Sequence, residues 1–123
     1  MGKRDRFKAK LKSLTELDML KAMKETLRSG YTLFKGKLKD YGLGAYQESG
    51  PIIIYFRMKE KFSRLENLMG NEEVPNFEAI EDTIQDIFVL AATLVAMLNE
   101  ELADIGEMKK QYKAIIGENE NAE

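Results

Sequence analysis

The chain has 123 residues, 44% of them hydrophobic, which is enough for one hydrophobic core but not for two. It contains no His and no Cys, which excludes disulfide frameworks, zinc fingers, haem and iron–sulfur ligation, Cys nucleophiles and Ser-His-Asp triads. With 19 Lys and Arg against 21 Asp and Glu, the net charge of −2 gives no general attraction for nucleic acid or an anionic membrane. Any such partner needs a local patch.

Residues 1–12 are predicted to be a basic N-terminal arm. Its six cations and single acid, a local charge of +5, are Lys3, Arg4, Arg6, Lys8, Lys10 and Lys12 against Asp5. We expect a solvated arm, and contact with phosphate is the alternative. The arm lacks the apolar run of a secretory signal. The longest apolar stretch, residues 87–98, is shorter than the ~20 residues that span a bilayer. These features predict a soluble, cytoplasmic protein.

A single helical domain is predicted over residues 13–113. Ser13 and Glu16 match a capping box, which predicts that the first helix of this domain covers residues 14–28. Its apolar positions recur at spacings of three and four: Leu17, Leu20, Met23 and Leu27. Gly30 is placed as a stop, and further glycines in residues 31–46 predict only a short helix and then a loop.

Two long helices are predicted next. Pro51 suits the first helical position and opens a helix over residues 51–69. The run Ile52–Phe56 has strand propensity, but the apolar pattern continues at helical spacing: Tyr55, Met58, Phe62, Leu65 and Met69. A loop over residues 71–75 then leads to Asn76, the predicted N-cap of the last long helix.

That last helix, residues 77–102, carries an apolar face and an acidic face. The predicted core face consists of Ile80, Ile84, Ile87, Ala91, Leu94, Leu98 and Leu102. The opposite face carries Glu78, Asp82 and Asp86 at i, i+4 and i+8, with Glu81 beside them. The helix dipole accounts for acids in the first turn, but not for Asp86. An acidic disordered tail is predicted for residues 114–123.

Beyond Asp86 the acidic face continues as small or apolar residues suited to close packing: Val89, Thr93 and Ala96. Carboxylates at the mouth of a buried seam would either titrate or need a cation, and ligation by oxygen alone suits Mg²⁺. A solvated or salt-bridged face is the alternative. Residues 87–98 are also apolar or small on nearly all sides, which predicts a homodimer or higher homo-oligomer.

A basic stripe lies on the helix over residues 51–69. Arg57, Lys61 and Arg64 follow at i, i+4 and i+7, beside the apolar residues of that helix. Cations along one rigid edge suit a polyphosphate, because Arg offers bidentate geometry and Lys a point charge. In the alternative interpretation, these cations pair with Glu60 or with the acids of the last helix.

Several segments, taken in order, resemble a known family: Asp40-Tyr41-Gly42, Ser49-Gly50, Arg57-Met58, Lys61-Phe62-Ser63-Arg64-Leu65 and Asn76 to Asp86. They resemble the "nucleotide modification associated" domain of phages and bacteria, which is similar to the all-α MazG-type nucleoside triphosphate pyrophosphatases. The resemblance covers roughly residues 38–98. It implies a MazG-like helical bundle that forms oligomers, with Mg²⁺ or Mn²⁺ held by acids of the last helix and phosphate contacted by Lys61 and Arg64.

Together with this resemblance, the sequence predicts a phage-related, Mg²⁺- or Mn²⁺-dependent nucleoside triphosphate pyrophosphohydrolase acting on (deoxy)nucleotides. The expected location is the cytoplasm, which is the host cytoplasm if the protein is phage-encoded. Metal ligands would be Glu78, Asp82 and Asp86, phosphate contacts Arg57, Lys61 and Arg64, and Glu48 or Glu81 would orient the attacking water. Two alternatives stay open, a non-catalytic nucleotide-binding or sequestering protein and a helical oligomeric interaction protein. No membrane partner is expected. The net charge disfavours nucleic acid, although the arm leaves a weak, salt-sensitive mode open.

Overall fold

The computed structural model describes residues 2–41, 44–71, 77–99 and 105–121. These residues form five helices and no strand, so the all-α prediction is confirmed for the described part of the chain. The helices are α1 (Lys3–Ser13), α2 (Glu16–Tyr41), α3 (Gly44–Gly70), α4 (Phe77–Asn99) and α5 (Ile105–Asn121). Helix α4 packs along α3 over an extended interface, α2 crosses α4, and α5 lies against α3. None of the described helices is long and apolar enough to cross a membrane.

The boundary between α1 and α2 is set by a capping box, but not by the predicted one. Thr15 Oγ1 accepts a hydrogen bond from the backbone N–H of Asp18 at 3.1 Å, and Asp18 Oδ2 accepts one from the backbone N–H of Thr15 at 3.2 Å. The hydroxyl of Ser13 instead donates to the carbonyl of Lys10 at the end of α1. The predicted box of Ser13 and Glu16 is therefore wrong by two residues, and α1 covers most of the basic arm.

Helix α2 does not end near Arg28 as the sequence suggests. It continues through Gly30 and Gly36 to Tyr41, so the short helix and loop predicted after residue 30 are replaced by one uninterrupted helix over the described residues. Gly30 is buried within this helix, and a Cβ built on it would lie 2.4 Å from Cε2 of Phe88. Gly30 therefore allows α2 to pack closely against α4 and does not terminate the helix.

Helix α3 contains a kink at Gly50, whose backbone has φ 69° and ψ −174°. This positive φ is the conformation that favours glycine, and it separates a short helical segment, residues 44–49, from the helix that Pro51 opens. The helix predicted over residues 51–69 is confirmed, because α3 continues to Gly70. The apolar run Ile52–Phe56 is helical, and Ile54 in it is fully buried.

The described part of helix α4 covers Phe77–Asn99, within the predicted range 77–102; the predicted N-cap Asn76 and residues 100–102 lie outside the described residues. Its most buried face is the predicted seam and not the predicted core face: Thr83, Val89 and Thr93 are buried, whereas Ile84 is 50% exposed and the other described residues of the core face are half-buried. The buried threonines satisfy their own hydroxyl groups within the helix. Thr83 Oγ1 donates to the Ala79 carbonyl and Thr93 Oγ1 to the Val89 carbonyl, each at 2.7 Å.

Few large apolar side chains are buried among the described residues. The described core consists of Ile52 and Ile54 of α3 with Val89 of α4. Helix α5 joins it through Tyr112, whose ring meets that of Tyr55 edge-to-face at a centroid distance of 5.6 Å. Helix α5 reaches into the range 114–123 that the sequence predicts as an acidic tail.

Candidate functional site

Two lysines from different helices converge on Asp86 of α4. Lys37 Nζ of α2 lies 3.2 Å from Asp86 Oδ1, and Lys61 Nζ of α3 lies 3.0 Å from Asp86 Oδ2. Each carboxylate oxygen therefore has its own ammonium partner, and one side chain joins three helices. The three side chains are between 33% and 39% exposed, which places the cluster at the rim of the helix packing.

The position of Asp86 follows from its helical neighbours. Thr83, Val89 and Thr93 lie three residues before it and three and seven residues after it, and all three are buried. Asp86 is thus the acid at the open end of a buried face, as the sequence predicts. The seam is shorter than predicted, however, because Ala96 is exposed.

The electrostatics of Asp86 are dominated by two opposing effects. Burial raises the pKa of the Asp86 carboxyl, but hydrogen bonds from Lys61 and Lys37, together with their positive charges, outweigh the burial and hold the pKa below its ordinary value. Asp86 is therefore ionised at neutral pH and acts as the shared counter-ion of both lysines.

The predicted phosphate-binding residues divide into two kinds. Arg57 and Arg64 are exposed on α3, whereas Lys61 between them is half-buried and bound to Asp86. Lys61 and Asp86 thus form the salt bridge between the two helices that the alternative interpretation of both faces predicts. Lys37, the second lysine of the pair, was not predicted from the sequence. It could have been found only by recognising that α2 continues beyond Gly30.

The remaining predicted acids lie on exposed surface. Glu78, Glu81 and Asp82 are exposed on α4, and Glu48 is exposed in the helical segment before the Gly50 kink. Asp86, paired with its lysines, is the half-buried acid among the predicted metal ligands. Within the described residues, no three acidic side chains are grouped as they would be to hold a metal ion.

A second feature is an open apolar cavity of about 280 Å³ between α2 and α4. Leu27 and Tyr31 of α2 form one wall, Ala92 and Ala96 of α4 form the other, and Phe88 lies among the lining residues next to Gly30. Leu27 is 52% exposed and Tyr31 62% exposed, so this cavity continues onto the uncovered side of α2.

Comparison of the chain with protein-family models, with curated proteins and with solved structures found no match. The MazG-like resemblance therefore stays a prediction.

Proposed function

We propose that this protein acts as a self-associating helical protein, in which a second copy of the chain covers the apolar face of α2. The single observation that carries the proposal is the exposure of the first part of the chain. Every residue from 2 to 29 is exposed in the protomer. The α2 face, defined as Leu17, Leu20, Met23 and Leu27, is between 48% and 61% exposed.

A helix of this kind needs a covering surface to be stable. In proteins most helical stability comes from packing of an amphipathic face, and not from intrinsic propensity. Full burial of one Leu or Met side chain contributes about 1.5–3 kcal/mol relative to exposure. The α2 face leaves four such side chains largely in water, so its burial in an interface would stabilise both the helix and the assembly.

The surface area of the protomer supports the same conclusion. Its accessible surface is 10425 Å². A compact monomer of 14.1 kDa has roughly 6,700 Å² by the usual scaling with mass. The excess of roughly 3,700 Å² is several times the ~800 Å² that each partner contributes to a standard stable interface.

The charges beside the α2 face suit a second copy of the same chain. Between residues 16 and 29 there are three acids and three bases, namely Glu16, Asp18 and Glu25 with Lys21, Lys24 and Arg28. This stretch has no net charge, so two copies meet without like-charge repulsion and can place opposite charges at the rim. An interface between identical patches is also the usual arrangement in homodimers.

Sedimentation velocity at tens of micromolar tests the proposal. The full chain should sediment as a multiple of 14.1 kDa. Leu20→Glu and Leu27→Glu should each shift it to the monomer, because they place a carboxylate in the apolar interface. Met69→Glu is the matched control, since Met69 is 68% exposed on α3 and lies away from the α2 face. A wild-type monomer, or equal dissociation by the control, would overturn the proposal.

A second candidate function is binding of a nucleoside triphosphate, with Mg²⁺-dependent pyrophosphohydrolysis as its catalytic form. The observation that favours it is the concentration of cations around Asp86, where Lys37 and Lys61 meet and Arg57 and Arg64 flank Lys61 on α3. A triphosphate would engage Lys61 and Arg64, as the sequence resemblance implies, and Arg57 of the same basic stripe. A metal ion at Asp86 would compete with Lys37 and Lys61 for the carboxylate oxygens.

Isothermal titration with each dNTP, with and without Mg²⁺, tests this candidate together with a pyrophosphate-release assay. Arg57→Gln with Arg64→Gln should weaken binding, whereas Lys109→Gln with Lys110→Gln, on α5, is the control of equal charge change. Pyrophosphate release abolished by Asp82→Asn would establish the catalytic form. If no dNTP binds at millimolar concentration, the nucleotide candidate is wrong and self-association is unaffected.

A further inference from the structure

Helix α1 presents two rows of cations. Lys3, Arg6 and Lys10 follow at i, i+3 and i+7 along one row, and Arg4, Lys8 and Lys12 follow at i, i+4 and i+8 along the other. All of α1 is exposed, and it contains no buried residue. From the sequence we expect a solvated arm, with phosphate contact as the alternative. The helical form of the arm arranges its six cations along a rod about 16 Å long, at 1.5 Å per residue.

These cations are not neutralised by the described part of the chain. Neither of the two ion pairs found among residues 2–41, 44–71, 77–99 and 105–121 involves a residue of α1. The arm has a charge of +5, while the whole chain has −2, so the remaining residues together carry −7. Such a separation of charge creates a local field that the net charge of the chain conceals.

We infer that α1 binds the phosphate backbone of nucleic acid, without reading its sequence. Duplex DNA carries one negative charge per ~1.7 Å of axis, so a rod of cations meets several phosphates within its own length. Lys and Arg contacts of this kind fix position and supply affinity but do not distinguish bases. The inference is independent of the self-association proposed above, because it depends only on α1.

The arrangement of apolar residues favours nucleic acid over a membrane surface. A helix that lies in a bilayer interface needs an apolar face of ~100° or more. On α1 only Phe7 and Leu11, 63% and 51% exposed, lie between the two rows, and cations border them on both sides. Anionic lipid vesicles are therefore the competing partner in the test.

The experiment uses the full chain and a fluorescein-labelled 20-base-pair duplex of mixed sequence, with binding followed by anisotropy from 50 to 200 mM NaCl. If one row neutralises three phosphates, the slope of log K against log salt is about −2.7, which corresponds to about a 40-fold loss across this range. A second duplex of unrelated sequence should bind equally. Arg4→Gln, Lys8→Gln and Lys12→Gln together should weaken binding at least tenfold at 50 mM salt.

The matched control removes three cations from α5: Lys109→Gln, Lys110→Gln and Lys113→Gln together. It should stay within twofold of the wild type, and circular dichroism checks that both triple variants remain helical. The inference is overturned if both variants lose binding equally, if the duplex does not bind at 50 mM salt, or if phosphatidylserine vesicles bind the arm more tightly than the duplex does.

Discussion

Gly30 of α2 lies directly against the ring of Phe88 of α4. A Cβ built on Gly30 would be 2.4 Å from Cε2 and 2.7 Å from Cζ of that ring. These distances are far below ordinary van der Waals contact, so the absence of a side chain at position 30 lets the two helices approach. Gly30 is also the first buried residue of the described chain, which makes this contact the point where α2 joins the core.

Gly30→Ala should therefore destabilise the protein although alanine is the better helix former. Replacing glycine by alanine in a helix stabilises the helix by about 1 kcal/mol through its higher helix propensity. Overpacking of a core contact typically destabilises the fold by about 1–3 kcal/mol. Gly36→Ala is the control, because no atom lies within 4 Å of a Cβ at that position. Urea unfolding followed by circular dichroism should show Gly36→Ala stabilised by about 0.5–1 kcal/mol and Gly30→Ala destabilised. Equal stabilisation of both variants would contradict this account.

Asp86→Asn should destabilise the fold, because it leaves Lys37 and Lys61 facing one another without their shared counter-ion. All three side chains are about one third exposed, so solvent screens the effect, and a loss of about 1–2 kcal/mol is expected. Asp82→Asn is the matched control, one turn earlier on α4, exposed and without an ion pair among the described residues. The free energy of unfolding from urea titration decides, and an equal effect of both changes would refute the role of Asp86.

The same ion pairs predict a pH dependence. The folded-state pKa of Asp86 is lowered, so between that value and the unfolded value, about 4, the unfolded chain binds more protons than the folded chain. The stability that Asp86 contributes is therefore complete above the unfolded pKa and is lost as the pH falls through the folded pKa. The difference in unfolding free energy between wild type and Asp86→Asn should be constant from pH 5 to 7 and shrink below pH 4. A difference that grows on acidification would reverse the assigned sign.

The long helices could be predicted from the sequence because their signals are local. Pro51 marks where regular helix begins in α3, and α4 is helical throughout its described residues, Phe77–Asn99, as expected. The continuation of α2 could not be predicted in this way. A glycine that stops a helix and a glycine that admits a neighbouring ring look alike in a single sequence, and only the position of Phe88 distinguishes them for Gly30.

The face of α4 that packs in the core could be predicted only in part, for a different reason. Apolar residues occur on nearly every side of this helix, so the pattern does not fix which side faces the core. Thr93 belongs to the predicted seam, but Thr83 looks like a surface residue. Each hydroxyl bonds to a carbonyl one turn earlier, which allows both threonines to be buried. The candidate site could be predicted in part, because the sequence singles out Asp86 and Lys61. Their direct pairing depends on packing between helices. The contribution of Lys37 depends on the length of α2, which the sequence does not reveal.

Helix α5 is held on α3 by the pair of rings Tyr55 and Tyr112, and this gives a final prediction. The centroids are 5.6 Å apart with the ring planes at 89°, an edge-to-face geometry that contributes about 0.5–1.5 kcal/mol beyond burial. Tyr112→Ala removes this contribution together with the buried part of the ring, so hydrogen exchange in α5 should rise by at least about 2-fold while α3 and α4 remain protected. Tyr112→Phe keeps the ring and should exchange as the wild type does. Mass spectrometry of peptides from residues 105–117 provides the measurement, and unchanged exchange in Tyr112→Ala would show that other contacts hold α5 in place.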